Sequence, residues 1–445
     1  MLCKVCRRCG LCAGPDELKT FSSQNVCLST ILPHSFKAES GGSSCDIGIA
    51  FDLGTTTIAA AAFSLQDGML LAQKGETNAQ VPFGADCISR ISFAASGGLQ
   101  KLHAVVSSQL ASIAQSLLMT IAPAFLSQRR GRPQIKKIVI AGNTVMQSLA
   151  AGLDVQTLGA FPFTPPSYFG KTFDDVFNGT SLEDCGAEVF FAPAVSGFIG
   201  GDALCSALSC GLVSDTNAFL ADVGTNCEMA AYNSKTQKLL FASSAAGPAF
   251  EGYGISCGSS AKGGAVSRVY MEENNICCSV IGGGSAQSIC GTGVLSAVSA
   301  FLKAGIIDCH GTIANGSDFI NICGSVRLTQ QDIRNFQLAK AAVMAGLTIL
   351  SQKAGVTSDA DLYLAGGFGS SFSPQDAAST GMIPRFLSSR TLSCGNASLS
   401  GAAMILLSST ERQHILDLAA MAEFTELAVQ DDFQEVYIKS LEFDV

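Results

Sequence analysis

Asp52-Leu53-Gly54-Thr55-Thr56-Thr57 separates two short apolar runs, residues 47–51 and 58–63, and a turn at Gln66-Asp67-Gly68 leads into a third run at 69–73. Short apolar runs punctuated by Gly, Asp and Thr predict three antiparallel strands joined as a meander. Apolar residues at helical spacing from Lys101 to about Leu126 predict a helix, and residues 136–141 return to a strand that ends at Gly142-Asn143-Thr144. The order is strand, hairpin, helices, strand.

The same order recurs downstream. Residues 218–222 read as a strand, Gly224-Thr225-Asn226 as a turn, and 227–231 and 238–243 as strands. Thr329-Gln330-Gln331-Asp332 has the pattern of a capping box and opens a helix to about Lys353, after which a strand at 361–365 ends in Gly366-Gly367-Phe368-Gly369. Asp52-Leu-Gly-Thr therefore matches Asp222-Val-Gly-Thr, and Ala141-Gly142-Asn143 matches Ala365-Gly366-Gly367. The chain reads as an internal duplication, two similar lobes expected to face one cleft.

One Asp-x-Gly-Thr alone is most simply a hairpin turn. Two copies at matching places favour phosphate chemistry. A nucleoside triphosphate needs backbone N–H groups in a concave loop and a metal to neutralise its oxygens, with little covalent chemistry from the protein. In this reading Gly54 and Gly224 admit a phosphate to the backbone, Thr55 and Thr225 add hydroxyl donors, and Asp52 and Asp222 hold magnesium through water. Glu228 and Glu251 lie near these turns, and each is either a carboxylate that polarises attacking water or a surface or helix-capping group. His34, His103, His310 and His414 form no metal-ligand spacing. Neither Gly-x4-Gly-Lys-Ser/Thr nor a strand-linked Gly-x-Gly-x-x-Gly is present.

A chain of 445 residues can bury two or three domain-sized cores. Its 36 acidic and 27 basic side chains give a net charge of -9, and no basic stripe or aromatic series marks nucleic acid as a ligand. Hydrophobic residues make up 47% but are scattered among Ser and Thr, so no uninterrupted membrane-length run is read, and Met1-Leu2-Cys3-Lys4 has no apolar leader. The expectation is a cytoplasmic protein without a membrane, its 18 cysteines mostly reduced. The expected divisions are a Cys-rich module at 1–36, a linker at 37–46, a first lobe at 47–216 and a second at 217–445. Cys3, Cys6, Cys9 and Cys12 stand three apart, with Cys27 further on. That spacing suits an iron–sulfur cluster, and four thiolates equally suit structural zinc.

Asp52-Leu-Gly-Thr-Thr-Thr, Asp222-Val-Gly-Thr-Asn and Leu364-Ala-Gly-Gly-Phe-Gly resemble the first phosphate, second phosphate and adenosine motifs of the actin, heat-shock chaperone and sugar kinase (ASKHA) superfamily. Ile289-Cys-Gly-Thr-Gly-Val294 resembles its first connecting motif. The resemblance implies an α/β fold, a duplicated RNase H-like, two-lobed ATPase core behind a short Cys-rich module. Asn78-Ala-Gln-Val-Pro-Phe-Gly-Ala-Asp86, Ala141-Gly-Asn-Thr144, Phe161-Pro-Phe-Thr-Pro165, Ser196-Gly-Phe-Ile-Gly-Gly-Asp202 and Ala245-Ala-Gly-Pro-Ala-Phe-Glu-Gly252 narrow the likeness to the reductive activators of corrinoid proteins, from about Ile47 to the C-terminus.

That resemblance implies ATP-dependent reduction of cob(II)alamin to cob(I)alamin on the corrinoid protein of a methyltransferase system. Gly54, Thr55, Thr56, Gly224, Thr225 and Asn226 would hold phosphates, Gly366, Gly367 and Gly369 would face the adenosine, and Asp52 and Asp222 would act on magnesium and water; Glu228, from its place near the second turn, completes the expected catalytic set. The need for an electron tilts the cysteine module toward iron–sulfur over zinc. The familiar family forms carry a larger ferredoxin domain, which is not read in these 445 residues, so a separate ferredoxin is the other expected electron source, and a homodimer is the remaining expected partner. Three rivals stand beside this reading: a 2-hydroxyacyl-CoA dehydratase-type activator, a nucleotide-dependent binding module with structural zinc, and a small-molecule kinase.

Overall fold

The computed structural model describes residues 32–33, 36–128, 130–273, 275–357, 359–366 and 373–443. Cys3, Cys6, Cys9, Cys12 and Cys27, and likewise Gly367 and Gly369, lie outside the described residues. The chain divides into two units: one runs to Gly211 and includes Asn396–Phe424, and the other comprises Leu212–Gly395 and the stretch from Thr425.

In the first unit β1 (Asp46–Leu53), β2 (Thr57–Ser64) and β3 (Leu70–Thr77) form the antiparallel meander. Only Asp46 and Asp52 of β1 escape full burial, which fits a central strand covered on both faces. A capping box at Asp86 starts α1 (Cys87–Phe93), and α2 (Leu99–Ser127) follows a turn in which Gly97 has φ +94°. By length and composition this helical stretch is apolar enough to cross a membrane, which the sequence reading did not see. Its apolar side instead joins the core: Leu102, Val106, Leu110, Ile113, Leu117 and Ile121 recur at i+3 and i+4 spacing and are buried with β1 and β4 residues. Then come β4 (Gln134–Gly142), α3 (Thr144–Ala150), the edge strand β5 (Lys171–Thr172), β6 (Glu188–Phe191) and α4 (Gly201–Cys210). The strand order is β3-β2-β1-β4-β6-β5, with β4 parallel to both β1 and β6.

The second unit opens with its own meander, β7 (Asn217–Val223), β8 (Cys227–Asn233) and β9 (Lys238–Ser244). An insertion follows: the hairpin β10 (Ala265–Glu272) and β11 (Asn275–Val280), the short β12 (Ser288–Ile289), α5 (Gly291–Lys303), and the hairpin β13 (Phe319–Cys323) and β14 (Val326–Thr329). Next, α6 (Gln330–Ala354) starts at the expected capping box: Thr329 accepts from the Asp332 amide and Asp332 from the Thr329 amide. Then come β15 (Ala360–Ala365), α7 (Pro374–Ser379) and β16 (Thr391–Gly395). The sheet runs β16-β15-β7-β8-β9, with β15 parallel to β7 and β16.

The two sheets thus repeat one topology, and the register makes the repeat concrete. Asp52 stands opposite Ala141 on the parallel neighbour, and Asp222 opposite Ala365. After β16 the chain supplies α8 (Ala397–Leu407) and α9 (Ser409–Met421) to the first unit, and ends with α10 (Phe433–Lys439) in the second. Helix α8 is buried along its whole length and meets α4 backbone to backbone, since a Cβ on Gly401 would lie 2.1 Å from the Cys205 carbonyl oxygen. Each unit has its own core, with Phe51, Phe125 and Phe191 in one and Phe219, Phe250, Phe301 and Phe336 in the other. Burial of each such side chain contributes roughly 1.5–3 kcal/mol.

Residues 37–46, expected as a linker, are docked on the first unit. Glu39 receives its Oε1 contacts from the Ser409 amide at 2.9 Å, the Thr410 amide at 3.2 Å and the Ser408 hydroxyl at 3.0 Å, all at the start of α9. Its own amide donates to the Leu407 carbonyl.

Candidate nucleotide site

At the first loop, the Gly54 amide donates to the Thr57 carbonyl at 3.0 Å. A Cβ on Gly54 would sit 2.6 Å from that oxygen, so the turn requires glycine. The half-buried Asp52 carboxylate receives the Asn396 Nδ2 and Ser398 Oγ donors, each at 2.8 Å. Burial raises the Asp52 pKa above its ordinary value, and the two donors offset part of that rise. The Asn396 Oδ1 caps α8 through the Leu399 amide at 2.8 Å, so Asp52 faces the N-terminal end of that helix. Asn396 and Ser398 were missed by sequence reasoning. The one available signal was an Asn ahead of an apolar run, which marks a helix start and says nothing of a partner 344 positions away.

The motif Ala141-Gly142-Asn143-Thr144 buttresses the same loop. Asn143 caps α3 through the Met146 amide at 2.9 Å, and its Nδ2 donates to the Thr55 hydroxyl oxygen at 3.0 Å. A Cβ on Gly142 would meet the Leu53 carbonyl oxygen at 2.7 Å. Thr56 offers its carbonyl to the Asn78 amide at 2.8 Å.

In the second unit the Gly224 amide donates to the carbonyl of the exposed Asn226 at 2.9 Å. Here a Cβ on the glycine would meet nothing closer than 3.5 Å, the Asn226 oxygen, so internal packing does not demand glycine. The Thr225 hydroxyl donates to Glu251 Oε2 at 2.8 Å. Burial pushes the Glu251 carboxyl pKa up, against the lowering effect of its Thr225 hydrogen bonds. Glu228 stands directly opposite Asp222 on the antiparallel neighbour and accepts from the Ser243 hydroxyl at 3.4 Å. The two acidic candidates thus divide: Glu228 flanks Asp222, and Glu251 anchors the turn itself.

Gly366 has φ +95°, and a Cβ there would lie 2.5 Å from the Val223 carbonyl oxygen and 2.9 Å from Asp222 Oδ1. Gly142 against Leu53 and Gly366 against Val223 are one close approach built twice, at the end of the strand beside each aspartate. The glycines of the connecting motif also have packing reasons: a Cβ on Gly291 would fall 1.8 Å from the Phe250 oxygen, and on Gly293 2.2 Å from the Val266 oxygen. Among the described residues no group of three His, Cys, Asp or Glu side chains is arranged to hold a metal ion.

A sheet topology repeated with an Asp-x-Gly-Thr turn at the matching place in each copy defines the chain as an ASKHA protein. Residues 47–215 match the family model described as "RACo middle region", and residues 216–444 match "C-terminal domain of RACo the ASKHA domain". The chain belongs to the RACo family. It is 30% identical over 425 residues to "Corrinoid activation enzyme RamQ" of Eubacterium limosum, covering 89% of this chain and 70% of that one. It is 25% identical over 434 residues to "[Co(II) methylated amine-specific corrinoid protein] reductase" of Methanosarcina barkeri, covering 89% and 77%. The solved structure "Reductive activator for corrinoid,iron-sulfur protein" superposes with a TM-score of 0.78 at 29% identity, over 91% of this chain and 67% of that one.

Proposed function

We propose that this chain is an ATP-using reductive activator that returns the cobalt of a corrinoid protein from Co(II) to Co(I), restoring a partner that serves methyl transfer. The observation that carries the reading is the family match running from residue 47 to residue 444, across both units. The dehydratase activator, kinase and scaffold readings have no comparable support.

In this reading the Asp52–Thr57 loop and the Gly224–Asn226 turn take the phosphates, and Gly366 with Gly367 and Gly369 forms the adenosine wall. ATP supplies the free energy of phosphoanhydride hydrolysis to an uphill electron transfer. Each loop taken by itself would suit a hydrated magnesium ion, which is oxygen-seeking and keeps its waters: in the first unit Asp52 has one protein donor on each oxygen and keeps lone pairs for water, and in the second Asp222 stands opposite Glu228. Glu251, carrying a raised pKa beside Thr225, is a better placed proton acceptor for attacking water than the sequence alone suggested.

Reduction of Co(II) to Co(I) consumes one electron. We assign its delivery to an iron–sulfur cluster held by four of Cys3, Cys6, Cys9, Cys12 and Cys27, with zinc there and a separate ferredoxin as the competing arrangement. Anaerobic protein with reductant, ATP and a partner loaded with cob(II)alamin is expected to develop the cob(I)alamin absorption band. A band that develops equally without ATP rejects the coupling. Iron, sulfide and a paramagnetic signal in the reduced protein support the cluster, and zinc without iron rejects it.

A further inference from the structure

The motif from Asn78 to Asp86 enters the site described so far only through the Asn78 amide, and Arg90 just beyond it has no part in it. Arg90 is fully buried. Its Nη2 donates to the Thr55 carbonyl at 2.6 Å, Nε to the Gly84 carbonyl at 2.9 Å and Nη1 to Gln80 Oε1 at 3.1 Å, and the group lies against the Met146 sulfur. None of these acceptors is charged, and among the described residues Arg90 has no ion pair. The titratable groups that act on it are the Cys87 thiol, which bears no charge in its protonated form, and then Asp86, which is exposed and bonded to the Ser89 amide at 2.7 Å and hydroxyl at 2.8 Å. A buried cation without a countercharge is costly, and one lying under a loop invites an anion above it.

The loop's backbone is oriented to match. Three consecutive carbonyls are held on the Arg90 side: Gly54 by Asn78 Nδ2 at 2.9 Å, Thr55 by Arg90, and Thr56 by the Asn78 amide at 2.8 Å. Across a trans peptide the next N–H points opposite to the carbonyl. The amides of Thr55, Thr56 and Thr57 therefore face away from Arg90, forming an anion cradle with a cation behind it.

We propose that Arg90 is a positioning residue for the nucleotide's phosphates: it fixes the Thr55 carbonyl and lends the loop a positive charge that bound phosphate neutralises, favouring phosphorylated nucleotide over bare nucleoside. The proposal rests on the nucleotide reading above.

The test is calorimetric affinity of the full chain for ATP, ADP and adenosine in wild type, Gln80→Glu and Arg90→Lys. Gln80→Glu sets a carboxylate against Arg90, at the loss of the Gln80 Nε2 bond to the Leu102 carbonyl. It cancels the charge while leaving the fork in place, so a purely structural Arg90 would bind ATP as before. The expected result is about tenfold weaker ATP and ADP binding with adenosine affinity within about twofold of wild type. Arg90→Lys keeps the charge and loses the fork, and is expected to weaken ATP less than Gln80→Glu does. An unchanged ATP affinity in folded Gln80→Glu, or equal losses for ATP and adenosine, overturns the proposal. If Gln80→Glu does not fold, Arg90→Lys decides: losses of ATP and adenosine that match, or no loss of either, overturn it. Wild-type protein that binds no ATP rejects the nucleotide reading instead, a distinguishable failure.

Discussion

Gly224 and Gly366 are both glycines of the proposed site, yet their neighbours set different demands. A methyl group on Gly366 would strike the Val223 carbonyl, at a φ of +95° that L-residues rarely adopt. Gly366→Ala is expected to lose about 1–3 kcal/mol of stability, read as a lower melting temperature. Gly224→Ala has room within the protein, so it is expected to keep the melting temperature and lose ATP affinity, because its methyl group enters the space left for phosphate. Equal melting temperatures for the two variants would contradict this contrast. Asp52 offers a second residue-level prediction. Asn396 and Ser398 hold down a carboxyl pKa that burial raises, so removing the Ser398 hydroxyl lets it rise further. An ATPase rate that needs ionised Asp52 falls as pH drops through that pKa, and Ser398→Ala should move this acid limb to higher pH. An unmoved limb would remove Asp52 from the rate-determining ionisation.

At the scale of elements, legibility followed sequence distance. The meanders and the start of α6 were readable because strand runs, turns and a capping box are local patterns. The different surroundings of Glu228 and Glu251 were not, since Glu251 is tied to the turn by a hydrogen bond from Thr225, 26 positions before it. Docking of residues 37–46 was also hidden, because a Gly/Ser-rich sequence reads as a free tether until a partner appears. Glu39 is that anchor. The amides of Ser409 and Thr410, with neighbouring hydroxyls, lower its pKa from 4.5 to about 2 although the group is exposed. The sign follows from the depression: the folded state binds fewer protons than the unfolded one, so this contribution is present above pH 4.5 and is lost as pH falls toward about 2. Glu39→Gln is expected to flatten that segment of the stability-versus-pH curve measured by urea unfolding. A curve of unchanged slope would mean that the contact adds nothing in solution.

At the scale of the whole molecule, duplication was legible in the paired turns, whereas the return of the chain to its first unit was not. A reading that runs the second lobe unbroken from 217 to 445 cannot see Asn396–Phe424 counted with the first unit, because an apolar helix does not declare which sheet it covers. Helix α8 is buried throughout and shares the first unit's contacts with α4, so a chain ending at Gly395 is expected to leave that unit incomplete. Such a chain should show rapid proteolysis within residues 46–210 and loss of amide protection in β1 and β4. Full protection there would show that α8 is dispensable.

The bond from Asn396 to Asp52 also has a consequence in time. Ribosomes extend a chain at about 5–20 residues per second, so the stretch from 212 to 395 occupies roughly 10–40 seconds of synthesis. Throughout that interval the first half of the nascent polypeptide lacks its last helices and its aspartate lacks both partners. Nucleotide therefore meets a finished first loop only after Asn396 and Ser398 have been made, and until then the first unit's core stays open on the side that α8 covers.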